Sequence, residues 1–181
     1  METARKKSTN DMKKGIYEKL KNNMNKVNLN AVLSDDLRYE SYTKAESIES
    51  SKNNLNKIVE KIEKIENCKS EYYCILGIEL ANYKYLHIVN KCQRCVNEID
   101  IFKVLDCKTC SSIKNKMTEC YRKMNEIICK SADYINFYIW IAKLCQKYPK
   151  FKYVAMSTYD VKKLGYRYLD AIMSKDKDLW M

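Results

Sequence analysis

Residues 132–147 read ADYINFYIWIAKLCQK. Placed on a helix, this stretch is apolar on almost every side, which is typical of a helix at the buried centre of a domain. The pattern ends at Tyr148-Pro149, because the residue before a proline is disfavoured in the α region. The sequence therefore predicts a central buried helix that the remaining elements surround.

Amphipathic stretches on both sides of this segment predict further helices. Apolar residues recur at intervals of three and four in residues 11–28, 55–65, 71–83, 113–128 and 161–172. Three glycines and one proline leave little of the turn chemistry that a multi-stranded sheet needs. Alternation in residues 150–155 is typical of a short strand or an extended loop, and Ser157 with Asp160 resembles a capping box. The predicted fold is all-α, a compact helical domain of about five to six helices with at most one very short β element.

A polar stretch suggests how the chain is organised. Residues 28–52 are rich in Asn, Ser, Asp and Glu, as in a linker. We therefore expect a basic N-terminal helix or arm with its linker in residues 1–50, and a single helical domain in residues 51–181. The lysines of the arm outnumber the apolar residues that could anchor it, which favours a role in binding. In the alternative, Ile16, Leu20 and Met24 dock on the domain as part of a structural helix.

Two C-x-x-C pairs carry the best-specified chemistry of the chain. They are Cys92 with Cys95 and Cys107 with Cys110, separated by eleven residues. Two residues between the thiols let both sulfurs reach one metal ion, so two pairs supply the four ligands of a tetrahedral zinc site. Such a closed site is structural, because catalytic zinc keeps one position open. The sequence predicts a structural Zn²⁺ knuckle within residues 87–112, with His87 as a less favoured replacement for one thiolate.

The other cysteines and the N-terminus indicate the compartment. Free cysteine is commonly a small buried apolar residue, so we expect the remaining five in the core: Cys68, Cys74, Cys120, Cys129 and Cys145. Nine cysteines cannot all pair, and the polar N-terminus is followed by no signal-like apolar segment. No stretch reaches the roughly 18 apolar residues of a membrane span. These features favour an intracellular protein, nuclear or cytoplasmic and not secreted.

The net charge of +11 is concentrated in parts of the chain. Residues 1–30 carry +5 and residues 131–181 carry +4. Such a field attracts phosphate backbones, anionic membranes or acidic proteins. Basic and aromatic residues interleave in 147–153 and 162–168, where lysines would neutralise phosphates and exposed tyrosines would stack on bases. The predicted nucleic-acid contacts are Arg94, Lys108, Lys147, Lys150, Lys152, Lys162, Lys163 and Arg167. In the opposing interpretation, Tyr148, Phe151, Tyr153 and Tyr168 fill the core and the lysines form a solvated face.

The residues for catalysis are scarce. The chain has one histidine, and it lacks a nucleophile elbow and the H-E-x-x-H motif. The leading hypothesis is a non-enzymatic, basic, zinc-stabilised helical protein that binds DNA or RNA in an intracellular regulatory or viral role. The alternative is a helical protein-interaction module, such as a viral or parasite factor acting on a host protein, because that role needs only a folded surface. A cysteine-dependent enzyme ranks third, and the oligomeric state stays open.

Overall fold

The computed structural model describes residues 2–25, 47–64, 69–89, 91–110, 114–154 and 157–181. All regular structure within these ranges is helical, which confirms the all-α prediction. The elements are α1 (Glu2–Asn25), α2 (Ile48–Lys64), α3 (Lys69–Ile88), α4 (Ile101–Asp106), α5 (Lys114–Ile128), α6 (Ala132–Lys147), a 3₁₀-helix (Pro149–Tyr153), α7 (Thr158–Leu164), α8 (Tyr166–Met173) and α9 (Lys177–Trp180).

The described helices outnumber the five to six expected because the predicted stretch 161–172 is divided in two, and because the short helices α4 and α9 lie outside every predicted stretch. Gly165 has a φ of 77°, a left-handed conformation that suits glycine, and it separates α7 from α8. The segment expected as a strand or loop instead turns as a 3₁₀-helix, with Val154 N donating to Phe151 O at 3.2 Å. The predicted cap of α7 is confirmed, since Ser157 Oγ accepts from Asp160 N at 3.4 Å.

The chain divides into two compact units. Unit 1 consists of residues 1–40, 67–71 and 144–181, and unit 2 consists of residues 41–66 and 72–143. The two C-x-x-C pairs therefore belong to unit 2. The expected boundary between an arm and a domain near residue 50 stays a prediction, because residues 26–46 lie outside the described part of the chain.

In unit 1, α1 packs against α7 and the 3₁₀-helix through an apolar face. The buried residues of this face are Ile16, Tyr17, Leu20 and Met24. The Tyr17 hydroxyl donates to Asp176 Oδ2 at 2.8 Å and accepts from Trp180 Nε1 at 2.9 Å. Helix α1 is thus docked within unit 1, as in the alternative that the sequence left open, while binding by its exposed lysines stays a prediction.

In unit 2, α3 and α6 approach each other so closely that only glycine fits at residue 77. A Cβ atom there would lie 1.9 Å from the carbonyl oxygen of Tyr138 and 2.8 Å from the Cβ of Ala142. Near this crossing, Ala81, Phe102 and Ala142 form a buried cluster. Phe102 belongs to α4, so the segment between the two cysteine pairs is anchored to the core of unit 2.

Helix α6 is buried on one face and is partly exposed on the other. The buried residues are Ile135, Phe137, Tyr138, Ile141, Ala142, Leu144 and Cys145. Tyr134 is 39% exposed, and Ile139 is half-buried. The prediction of burial on almost every side is therefore wrong for Tyr134, whose hydroxyl lets an aromatic side chain face water.

The isolated cysteines have mixed outcomes. Cys74, Cys120 and Cys145 are buried as predicted, and Cys68 lies outside the described residues. Cys129 is exposed, so its predicted core position is wrong. It follows the last residue of α5 with a φ of 51°, the left-handed conformation in which many helices end.

Of the helices in the described ranges, none combines the length and the apolar character needed to cross a membrane.

Candidate metal centre and basic surface

The sulfur atoms of Cys92, Cys95, Cys107 and Cys110 all lie within 4.8 Å of one another. The Sγ atom of Cys92 is 3.5 Å from that of Cys110 and 3.9 Å from that of Cys107. In a tetrahedral site with Zn–S bonds of about 2.3 Å, neighbouring sulfurs are about 3.8 Å apart. The predicted cluster thus has the dimensions of a four-sulfur site and could hold a metal ion.

Each pair is shaped by a tight turn. Cys95 N donates to Cys92 O at 2.9 Å, and Cys110 N donates to Cys107 O at 3.1 Å. The two turns face each other, because Cys92 N in the first turn donates a hydrogen bond to Cys110 Sγ in the second at 3.4 Å. Backbone N–H groups directed at sulfur favour the thiolate, which is the form that binds metal.

The thiols differ in how readily they lose a proton. The backbone N–H of Cys110, followed by its thiol, lowers the pKa of Cys107 to about 6. A hydrogen bond from the Cys110 thiol lowers the pKa of Cys92. Loss of hydration, reinforced by the neighbouring thiols, raises the pKa of Cys95 to about 12. Converging thiolates repel one another, so a divalent cation at their centre would favour full deprotonation.

The spacer between the pairs is a short capped helix, α4. Asp100 Oδ1 accepts from Phe102 N at 2.9 Å at its start, and Cys107 N donates to Val104 O at 3.1 Å at its end. Phe102 and Val104 are buried, which fixes the helix on unit 2. The eleven-residue spacing therefore has a structural cause, since α4 positions the second pair opposite the first.

His87 is not part of the sulfur cluster. Its ring packs at a tilt against the ring of Tyr83, with a centroid distance of 4.4 Å, and burial lowers the pKa of His87. His87 is therefore better described as a packed side chain than as a metal ligand. Among the other cysteines, burial raises the pKa of Cys120 to about 11, which is the reverse of what an activated nucleophile needs.

Unit 1 contains six of the eight predicted nucleic-acid contacts. They are Lys147, Lys150, Lys152, Lys162, Lys163 and Arg167. This unit carries eighteen Lys or Arg against eleven Asp or Glu, a net charge of +7. Arg94 and Lys108 lie in the two turns of unit 2, are exposed, and form no ion pair with any described residue.

The basic residues of unit 1 differ in their surroundings. Lys147 Nζ donates to Asp170 Oδ1 at 2.6 Å, so its charge is largely offset. Lys152 lies over the ring of Tyr153 at 4.8 Å, and Lys163 lies over the ring of Tyr159 at 4.1 Å. Lys162, Lys163 and Arg167 are exposed, so α7 and α8 carry three accessible positive charges of the predicted set.

Two of the four aromatic residues for which the sequence left a core position open are buried, and the other two, Tyr153 and Tyr168, are half-buried. Tyr148 and Phe151 are buried, and the Tyr148 hydroxyl lies 3.0 Å from the carbonyl oxygen of Asp170. The tyrosine that the sequence analysis missed is Tyr159, which is 65% exposed on α7. A signal for it was present, because buried Val161 and Leu164 define the inner face of α7 and position 159 falls outside that face.

Comparisons with known proteins add no relative. No family, no curated protein and no solved structure matches this chain. Its function therefore has to be inferred from the chemistry of its own residues.

Proposed function

We propose that this chain is a non-enzymatic, zinc-stabilised helical protein that binds nucleic acid through the exposed basic residues of α7 and α8 in unit 1. The convergence of four cysteine sulfurs within 4.8 Å carries the zinc part of this proposal. The exposed basic residues of α7 and α8, together with Tyr159, support the nucleic-acid part.

The ligand set favours zinc. Four thiolates form a soft, tetrahedral environment that suits zinc, and they leave no open position for water or substrate. The ion would hold the two turns together and stabilise the fold of residues 92–110. No chemical step needs to be assigned to it.

Metal analysis of the purified protein tests this part. We expect one zinc per chain, and we expect Cys107→Ser to lower both the zinc content and the melting temperature. Cys129→Ser is the matched control, because Cys129 is exposed and lies outside the cluster. A folded wild-type chain that retains no zinc when purified in its presence would refute the site.

The nucleic-acid part rests on charge and accessibility. Lysine and arginine side chains that neutralise phosphates release counterions, which drives binding to DNA or RNA without sequence preference. Tyr159 provides an accessible aromatic face that could stack on an unpaired base. Lys147 should contribute less than Lys163, because Asp170 already neutralises most of its charge.

A salt titration with matched variants tests this part. Lys162→Ala/Lys163→Ala/Arg167→Ala and Lys52→Ala/Lys57→Ala/Lys130→Ala each remove three exposed charges, from unit 1 and unit 2 respectively. In filter binding with a single-stranded and a duplex oligonucleotide, we expect the first variant to lose more affinity. For this variant, the slope of log K against log salt should also become shallower by roughly 2–3. Absence of binding at low salt, or equal losses in both variants, would refute the proposal.

A further inference from the structure

The loop between Cys95 and α4 exposes two apolar side chains beside the sulfur cluster. Val96 is 57% exposed, and Ile99 is 84% exposed, the highest value among the exposed large apolar residues of the described ranges. Single apolar residues on a surface are ordinary, whereas contiguous exposed apolar surface with a polar rim commonly marks an interaction site. We refer to residues 96–99 as the knuckle tip.

The knuckle tip is held in one conformation by hydrogen bonds. Lys91 Nζ donates to the carbonyl oxygens of Glu98 at 3.0 Å and Val96 at 3.4 Å. Asp100 N donates to Glu98 Oε1 at 3.0 Å, and Glu98 N donates to Cys95 O at 3.1 Å. Because the loop is already ordered, a partner would bind it with little loss of conformational entropy.

The charges around the knuckle tip favour an acidic partner. Lys91 and Arg94 are exposed beside it. The nearby carboxylates already have partners, since Glu98 pairs with Lys103 at 3.6 Å and Asp106 pairs with Lys143. The third, Asp100, caps α4. The groups left to meet a partner are therefore apolar and cationic.

The composition of the loop argues against two other occupants. Phe102 is the only aromatic residue in 91–110 and is buried, so this segment itself offers no exposed aromatic ring to stack on a base. A second copy of this chain would bring another +11 of net charge, and like charges oppose association. We propose that the knuckle tip docks a protein segment in which an apolar side chain is flanked by Asp or Glu. This docking does not depend on nucleic-acid binding by unit 1.

Peptide selection on the full-length, zinc-loaded chain tests this proposal. A phage library of random twelve-residue peptides would be selected on the wild type, with excess Val96→Ser/Ile99→Ser protein as the competitor. We expect enriched peptides that place an apolar residue next to Asp or Glu. A synthetic copy of the leading peptide should bind the double variant at least tenfold more weakly in fluorescence anisotropy, and Arg94→Ala should also weaken it.

Ile48→Ser is the control, because Ile48 is an exposed isoleucine elsewhere in unit 2, and its binding should match the wild type. Zinc content and circular dichroism would verify that each variant is folded. If the double variant lost zinc, Ile99→Ser alone would provide the same comparison. Selection that yields no discriminating peptide, or only peptides without carboxylates, overturns the proposal. The proposal would also be overturned if an oligonucleotide bound the wild type but not the double variant while no peptide showed this difference. The knuckle tip would then be a nucleic-acid site.

Discussion

At the scale of single residues, Gly77 marks the tightest constraint in unit 2. A methyl group there would overlap the Tyr138 carbonyl, so Gly77→Ala must push α3 and α6 apart. We expect Gly77→Ala to destabilise the protein by about 2–3 kcal/mol, measured by urea unfolding. Gly15→Ala is the control, because no described atom outside the local backbone of α1 lies within 4 Å of its added Cβ, and alanine should stabilise α1 by up to about 1 kcal/mol. Equal stability of Gly77→Ala and the wild type would show that the helices are less close than described.

Glu79 should make the stability depend on pH. It is fully buried, its Oε2 accepts only a long hydrogen bond from Asn54 at 3.5 Å, and its Oε1 has no partner among the described residues. Burial raises the pKa of Glu79 to about 7 in the folded state. In the unfolded chain the pKa is about 4.3, so between these values the folded state binds more protons than the unfolded state.

The free energy of unfolding should therefore fall as the pH rises from about 4.3 to about 7. Glu79→Gln cannot ionise, so it should lose this part of the pH dependence and gain stability relative to the wild type above pH 7. Chemical unfolding of both proteins across this range measures the difference. Parallel curves for the two proteins would mean that Glu79 keeps its ordinary pKa.

The cysteines illustrate what could be predicted for single residues. The convergence of the four sulfurs could be predicted because C-x-x-C spacing is local and two such pairs are typical of a single four-sulfur site. The exposure of Cys129 was not identifiable, because it depends on where α5 ends, and helix boundaries are poorly determined by apolar periodicity. The constraint at Gly77 depends on which helix crosses α3, which no local pattern contains.

At the scale of elements, α6 shows how composition can overstate burial. The sequence predicted the length of α6 and its end before Tyr148-Pro149, but only one face of the helix is fully buried. Ile141→Ala should cost about 2–5 kcal/mol, the usual range for a buried aliphatic truncation. Ile139 is half-buried and points to the other side of α6, so Ile139→Ala should lower the free energy of unfolding by clearly less than Ile141→Ala does. Urea unfolding of the two variants tests this order, and a larger loss at Ile139 would contradict the described orientation of α6.

At the scale of the whole molecule, the helical class followed from periodicity and from the scarcity of turn residues, whereas the division into units did not. Unit 1 combines residues from both ends of the chain. Such pairing of distant segments depends on which apolar faces fit together, and each face alone matches many partners. The docked α1 is the clearest example, since its lysines suggested an arm and its buried Tyr17 and Leu20 bind it into unit 1.

Deleting residues 1–30 should therefore unfold or weaken unit 1. The deletion removes the buried face of α1 and leaves Trp180 without the Tyr17 hydroxyl that accepts its indole N–H. We expect the melting temperature to fall by several degrees in a thermal scan followed by circular dichroism.

Lys14→Gln/Lys19→Gln separates docking of α1 from binding by its lysines, because both lysines are exposed and their replacement leaves the apolar face of α1 intact. This variant should melt like the wild type, and it should weaken oligonucleotide binding with a shallower salt slope if α1 also contacts phosphates. A truncated chain that melts at the wild-type temperature would show that α1 is an arm after all.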